Sequence, residues 1–137
     1  MAYHFLEHTA DLKFVAEGKT IEEAFVESSN ALKEAICGDI IVLEQKIRNI
    51  KIKATGIENL VYKFLEEFIF LLESEDFLIA KVNEIKIDLK NFELDAKILG
   101  DKSENYKFTN DVKAVTYNEM FIKNEGGRWT IQVVLDV

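Results

Sequence analysis

Apolar positions along this chain recur at two different spacings, and the changes between them mark out the elements. In TIEEAFVESSNALKEAICG, residues 20–38, the positions Ile21, Ala24, Phe25, Ala31, Leu32, Ala35 and Ile36 share one face at helical spacing. Thr20 and Glu23 stand as a capping box, each able to satisfy a free N–H at the helix start. Gly38 is the natural stop. TGIENLVYKFLEEFIFLLES, residues 55–74, repeats the device. Thr55 and Glu58 have the spacing of a second capping box, and Leu60, Val61, Phe64, Leu65, Phe68, Ile69 and Leu72 form a stripe wide enough for a well-buried helix.

Elsewhere the period falls to two. Residues 6–14, LEHTADLKF, alternate apolar and polar from Asp11 onward, as in a half-buried strand. RNIKIKA points Ile50, Ile52 and Ala54 inward. EIKIDLKNFELDAKIL reads as a hairpin, Ile85, Ile87 and Leu89 against Phe92, Leu94, Ala96 and Ile98, turning near Lys90-Asn91. A polar loop, GDKSENYKFTN, follows. The last strands are VKAVTYNEMFI and RWTIQVVLD, joined by the glycine-bearing connection KNEGGR. The order is strand, helix, strand, helix, then several strands, which predicts an α+β domain with mostly antiparallel sheets. The two strand–cap–helix passages echo each other.

Composition narrows the class. The 137 residues suit a single domain spanning 1–137, with hydrophobic content of 48%, too high for a disordered chain. The formal net charge is −8, and the only arginines are Arg48 and Arg128. Strong direct nucleic-acid binding is therefore disfavoured, whereas a basic protein partner or a bound cation suits the charge. The N-terminus lacks the order of a signal peptide, and the most apolar run, 68–72, is far too short to cross a bilayer. The expectation is a soluble cytoplasmic protein with no membrane partner.

Nucleophile and metal chemistry are sparse. Cys37 is the only cysteine and sits at a helix C-terminus, where the partial negative charge disfavours a thiolate. With His4 and His8 it makes a poor set for structural zinc. Ser28 and Ser29 lie within a helix with no partnered base in view, and the EGG at 125–127 lacks the strand–loop–helix context of a phosphate loop. What remains is carboxylate chemistry at the two ends. If the last strand lies beside the first, Asp11, Asp136 and the α-carboxylate of Val137 meet, repel, and suit a hard oxygen-seeking cation. Read from spacing alone, Asp11 equally caps a turn and Asp136 is a solvated strand end. His8 is a ligand, a base or a hydrogen-bonded turn residue. Lys113 shares a strand face with Val115, Tyr117 and Glu119, a mixed polar patch, or is one exposed lysine among fifteen.

HTADLKF near the start, KAVTYNEM in the penultimate strand and GGRWTIQVVLDV at the end resemble the archease family, and TIEEAFVESSNAL is similar to the segment that follows its first motif. The resemblance spans nearly the whole chain. It implies a fold of two interleaved strand–helix–strand–strand modules. It implies no enzyme, but an accessory cofactor of the RtcB-type RNA ligase of tRNA splicing, one that promotes guanylylation and repeated turnover and can broaden nucleotide use. The tRNA is then met only through the ligase. It also implies calcium, or another divalent cation, held by Asp11, Asp136 and Val137, with His8 and Lys113 as candidates for partner activation. Asn118 stands where relatives commonly carry histidine, and asparagine takes up no proton near neutral pH. His4 receives no role. Two competing readings follow from the same residues: a chaperone of RNA-modifying enzymes such as tRNA methyltransferases, and a metal-dependent phosphoryl-transfer enzyme using Asp11, Asp136 and Lys113.

Overall fold

The computed structural model describes residues 2–7, 11–108 and 112–137. Its elements are β1 (Ala2–Leu6), β2 (Leu12–Gly18), α1 (Ile21–Cys37), β3 (Lys46–Lys53), α2 (Ile57–Glu75), β4 (Phe77–Asp88), β5 (Glu93–Lys102), β6 (Ala114–Glu125) and β7 (Arg128–Asp136). The strands form two antiparallel sheets, ordered β1-β2-β7-β6 and β3-β5-β4. Each helix touches strands of both sheets, so the helices form the middle layer. The expected α+β class holds.

The two modules are nested. β3-α2-β4-β5 is inserted between α1 and β6 of the unit β2-α1-β6-β7. In both units the strands lie in the order first, third, second: β3-β5-β4 in one sheet and β2-β7-β6 in the other. The echo heard in the sequence is a repeated topology. β1 is an addition to it, a strand that periodicity did not announce, paired along β2 from Ala2↔Glu17 to Leu6↔Lys13.

α1 begins as its sequence demands. Thr20 is the N-cap and accepts from the Glu23 N–H at 3.1 Å, while the Glu23 carboxylate accepts from the Lys19 N–H at 2.7 Å. Gly38 closes the helix at φ 67°, a conformation glycine adopts without steric cost. The second capping box does not form. Gly56 is the N-cap of α2 and offers no side chain, and Thr55 is held instead by Asn59 Oδ1, at 3.2 Å from its N–H and 3.4 Å from its hydroxyl. A helix starting one residue later leaves Thr55 outside the cap position. The α2 stripe is otherwise buried as expected, except that Leu71 is buried and Leu72 only half so.

The segment expected to be a polar loop is partly ordered structure. β5 runs on to Lys102, and a single 3-10 turn covers Ser103–Asn105. Gly100 is required there: a Cβ at this position would strike the Leu78 carbonyl and the Phe77 ring. Next to it Asp101 is only 5% exposed. Its carboxylate accepts from Tyr106 Oη at 2.7 Å, the Lys102 N–H at 2.8 Å and Asn105 Nδ2 at 3.4 Å. Tyr106 Oη in turn accepts from the Leu43 N–H at 2.8 Å, fastening the loop before β3.

The Tyr106 hydroxyl first, then the Lys102 amide, hold the Asp101 carboxyl below its ordinary range. A depressed folded pKa stabilises the protein above the unfolded value of about 3.9, and the contribution disappears as pH falls through the folded value. The stability gap between wild type and Tyr106→Phe is therefore expected to be full at neutral pH and to shrink below about pH 4. Urea titrations at pH 7 and pH 3 read it directly, and a gap independent of pH would detach Asp101 from the effect.

Candidate functional site at one end of the larger sheet

β7 is a central strand, and its inward residues Ile131, Val133 and Leu135 are fully buried. A one-residue slip would turn them outward, so the register on both sides is firmly set. That register pairs Leu12 with Leu135, so Asp11, the residue before β2, and Asp136, the last residue of β7, flank the terminal pair. On the other side Ala114 lies opposite Asp136, and the Lys113 N–H donates to the Asp136 carbonyl at 2.8 Å. Asp11, Lys113, Asp136 and Val137 thus gather from distant parts of the chain at one sheet end. Asp11 is half-buried, and the other three are exposed. His8 lies outside the described residues.

The side chains divide between two faces. Asp136 alternates with Val134 on the face turned away from the helices, where Lys13 lies opposite Val134. Lys113 belongs to the helix side. It lines a groove of about 580 Å³ with Tyr62, Lys63 and Glu66 of α2 and with Lys51, Ile52 and Lys53 of β3. Val115 is buried on that side, and Tyr117 stacks on Tyr62 with ring centroids 4.5 Å apart and planes at 11°. Asn59 Nδ2 donates to Tyr117 Oη at 2.9 Å.

Glu119 does not share this face, contrary to strict alternation. Between Thr116↔Val134 and Phe121↔Gln132 the four residues 117–120 lie opposite the single Val133, a special bulge of more than one extra residue in an edge strand. Glu119 takes φ 54°, a left-handed conformation that costs a non-glycine residue roughly 1–2 kcal/mol. The surroundings hold it there. Gln132 Nε2 donates to the Glu119 carbonyl at 2.8 Å. Thr116 Oγ1 donates to the Val134 carbonyl at 2.9 Å and accepts from the Asn118 N–H at 3.2 Å. Lys13 Nζ meets Glu119 Oε1 at 3.2 Å. The sequence held no signal for this arrangement, because the left-handed residue is the glutamate and not the neighbouring asparagine, which favours that conformation.

Among the described residues the donors that this sheet end offers a metal ion are oxygens: the carboxylates of Asp11 and Asp136 and the main-chain carbonyl groups beside them. That donor set matches a hard cation and no thiophilic one. Among the described residues no three side chains of Asp, Glu, His or Cys come close enough to form a metal cluster by themselves. The nucleophiles set aside earlier are occupied: Ser28 and Ser29 donate to the helix carbonyls of Ala24 and Val26. Cys37 is buried and donates to the Lys33 carbonyl, and burial pushes its thiol up in pKa. No helix among the described residues is long and apolar enough to cross a membrane.

Comparison with known proteins agrees with this architecture. Residues 3–137 match the Archease protein family (MTH1598/TM1083). The chain is 33% identical to protein archease of Methanosarcina mazei, over 98% of this chain and 95% of that one. It is 35% identical to protein archease of Pyrococcus abyssi, over 96% and 95%. The solution structure of Methanobacterium thermoautotrophicum protein 1598 superposes with a TM-score of 0.82 at 29% identity, covering 98% of each chain. The crystal structure of a Thermotoga maritima archease, described as a possible chaperone, shares the fold with a TM-score of 0.67 at 24% identity, covering 96% of this chain and 94% of that one. A match from residue 3 to the last residue, carried by both sequence and topology, leaves one conclusion: the chain belongs to the archease family.

Proposed function

We propose that this protein is a non-enzymatic activator of an RtcB-type RNA ligase, working in the cytoplasm to promote guanylylation of the ligase and its repeated turnover in tRNA splicing. The observation that supports the reading is the Leu12–Leu135 pair, which Asp11 and Asp136 flank at one sheet end, in a chain that matches the archease family over nearly its full length. An acidic chain of net charge −8 is drawn to a basic partner surface and gains little from RNA phosphates, so tRNA is engaged through the ligase.

On this reading Asp11, Asp136 and Val137 hold calcium, which supplies charge neutralisation for clustered carboxylates and an ordered, rigid docking corner. The protein's own part is to bind one state of the ligase better than another. A partner that prefers the guanylylation-competent state raises its population without performing chemistry. The enzyme reading needs the Lys113 ammonium beside both carboxylates, whereas Lys113 lines the groove on the helix side. That favours activation over phosphoryl transfer.

The deciding experiment is guanylylation and multiple-turnover ligation by the cognate ligase, with and without this protein, across added calcium. Turnover beyond one ligation per ligase is expected only with the protein present. Equal turnover in its absence would overturn the proposal.

A further inference from the structure

Lys13 sits where it would be expected to neutralise the acidic corner. It follows Asp11 by two residues in β2 and lies opposite Val134, two residues before Asp136. Same-face neighbours at that diagonal spacing, about 7–8 Å between Cα atoms, are within reach of a long side chain. Yet the Lys13 side chain, only 16% exposed, runs the other way along the sheet, and its ammonium meets Glu119 at 3.2 Å. Glu119 receives it where the bulge and the left-handed backbone at 119 break the strand's alternation and turn that side chain to the Lys13 face.

We infer that Glu119 is a positioning residue: it draws the Lys13 ammonium away from Asp11 and Asp136, so that the chain's own lysine does not compete with a divalent cation for them. The inference deepens the calcium reading above and rests on it for its purpose, but the latch is testable by itself. A lysine released beside two carboxylates opposes an incoming cation as a like charge, moderated by solvent at an exposed corner. The bulge then has a reason, since backbone strain persists where the surrounding structure puts it to use.

The test compares wild type, Glu119→Gln, Lys13→Met and the double variant, each checked for an unchanged thermal transition. Calcium affinity is read by isothermal titration, and the Lys13 Nζ position from a crystal structure of Glu119→Gln. Glu119→Gln is expected to bind calcium about tenfold more weakly, with Lys13 Nζ moved to within ion-pair distance of Asp11 or Asp136. The double variant is expected to regain wild-type affinity, because the competing ammonium is gone. Unchanged affinity in Glu119→Gln, or a double variant as weak as the single one, would overturn the latch. Should wild type bind no calcium, the calcium reading fails, and the crystal structure alone decides the latch: a relocated ammonium upholds it and an unmoved one ends it.

Discussion

Asp136→Asn and, separately, Asp11→Ala are expected to reduce ligase activation to the level of the ligase alone, with the fold intact. Both positions lie at an open sheet end, and neither contributes an apolar side chain to the core. Substitution at an exposed site such as Asp136 usually changes stability by less than about 0.5 kcal/mol. Asp136→Asn also removes one negative charge from a chain of net charge −8, so its thermal transition should hold or rise slightly. Activation, in contrast, depends on both charges being present at once, and neither variant should retain half of it. Multiple-turnover ligation measured beside a thermal melt separates the two effects. Full activation by both variants would remove these carboxylates from the mechanism. Loss of activation together with collapse of the melt would make their role structural.

The largest effect on stability is expected from Phe64→Ala. Phe64 is fully buried in the middle layer. Its ring lies 5.4 Å from that of Phe25 on α1 and 5.0 Å, edge to face, from that of Phe68 one turn along α2. Each aromatic pair of this kind adds to the value of area burial alone. Truncating a buried phenylalanine costs about 3–5 kcal/mol, because the cavity closes only in part. Domains of this kind hold about 5–15 kcal/mol in all, so the variant should lose a large fraction of its margin. A fall in Tm of about 10 °C or more is expected, measured by calorimetry or circular dichroism. A loss under about 1 kcal/mol would mean that the two helices are not packed ring against ring between the sheets.

Local chemistry and its outcome agree best where the controlling contacts are short in sequence. Thr20, Glu23 and Gly38 bound α1 because cap geometry involves residues three or four apart. Gly126 and Gly127, at φ 59° and 77°, make the tight β6–β7 turn for the same reason. At Thr55 a local pattern failed: the same spacing was present, but the chain began its helix at Ile57 and turned Thr55 toward Asn59. β1 was missed because its five residues, AYHFL, are apolar at every position but His4 and so carry no polar–apolar alternation, although their burial alternates in the sheet.

The sequence by itself determined the two helices, most of the strands, the α+β class and the family motifs, since periodicity, caps and turns are written in neighbouring residues. Only the tertiary structure decided that β2 and β7 pair so that Asp11 and Asp136 flank the Leu12–Leu135 pair, that Lys113 lines the groove on the helix side, and that Glu119 leaves its strand face to meet Lys13. The physical reason is that strand register and bulges are set by pairing between residues distant in the chain, such as Leu12 with Leu135, and by contacts such as that of Lys13 with Glu119, 106 positions away, and no local propensity carries that information.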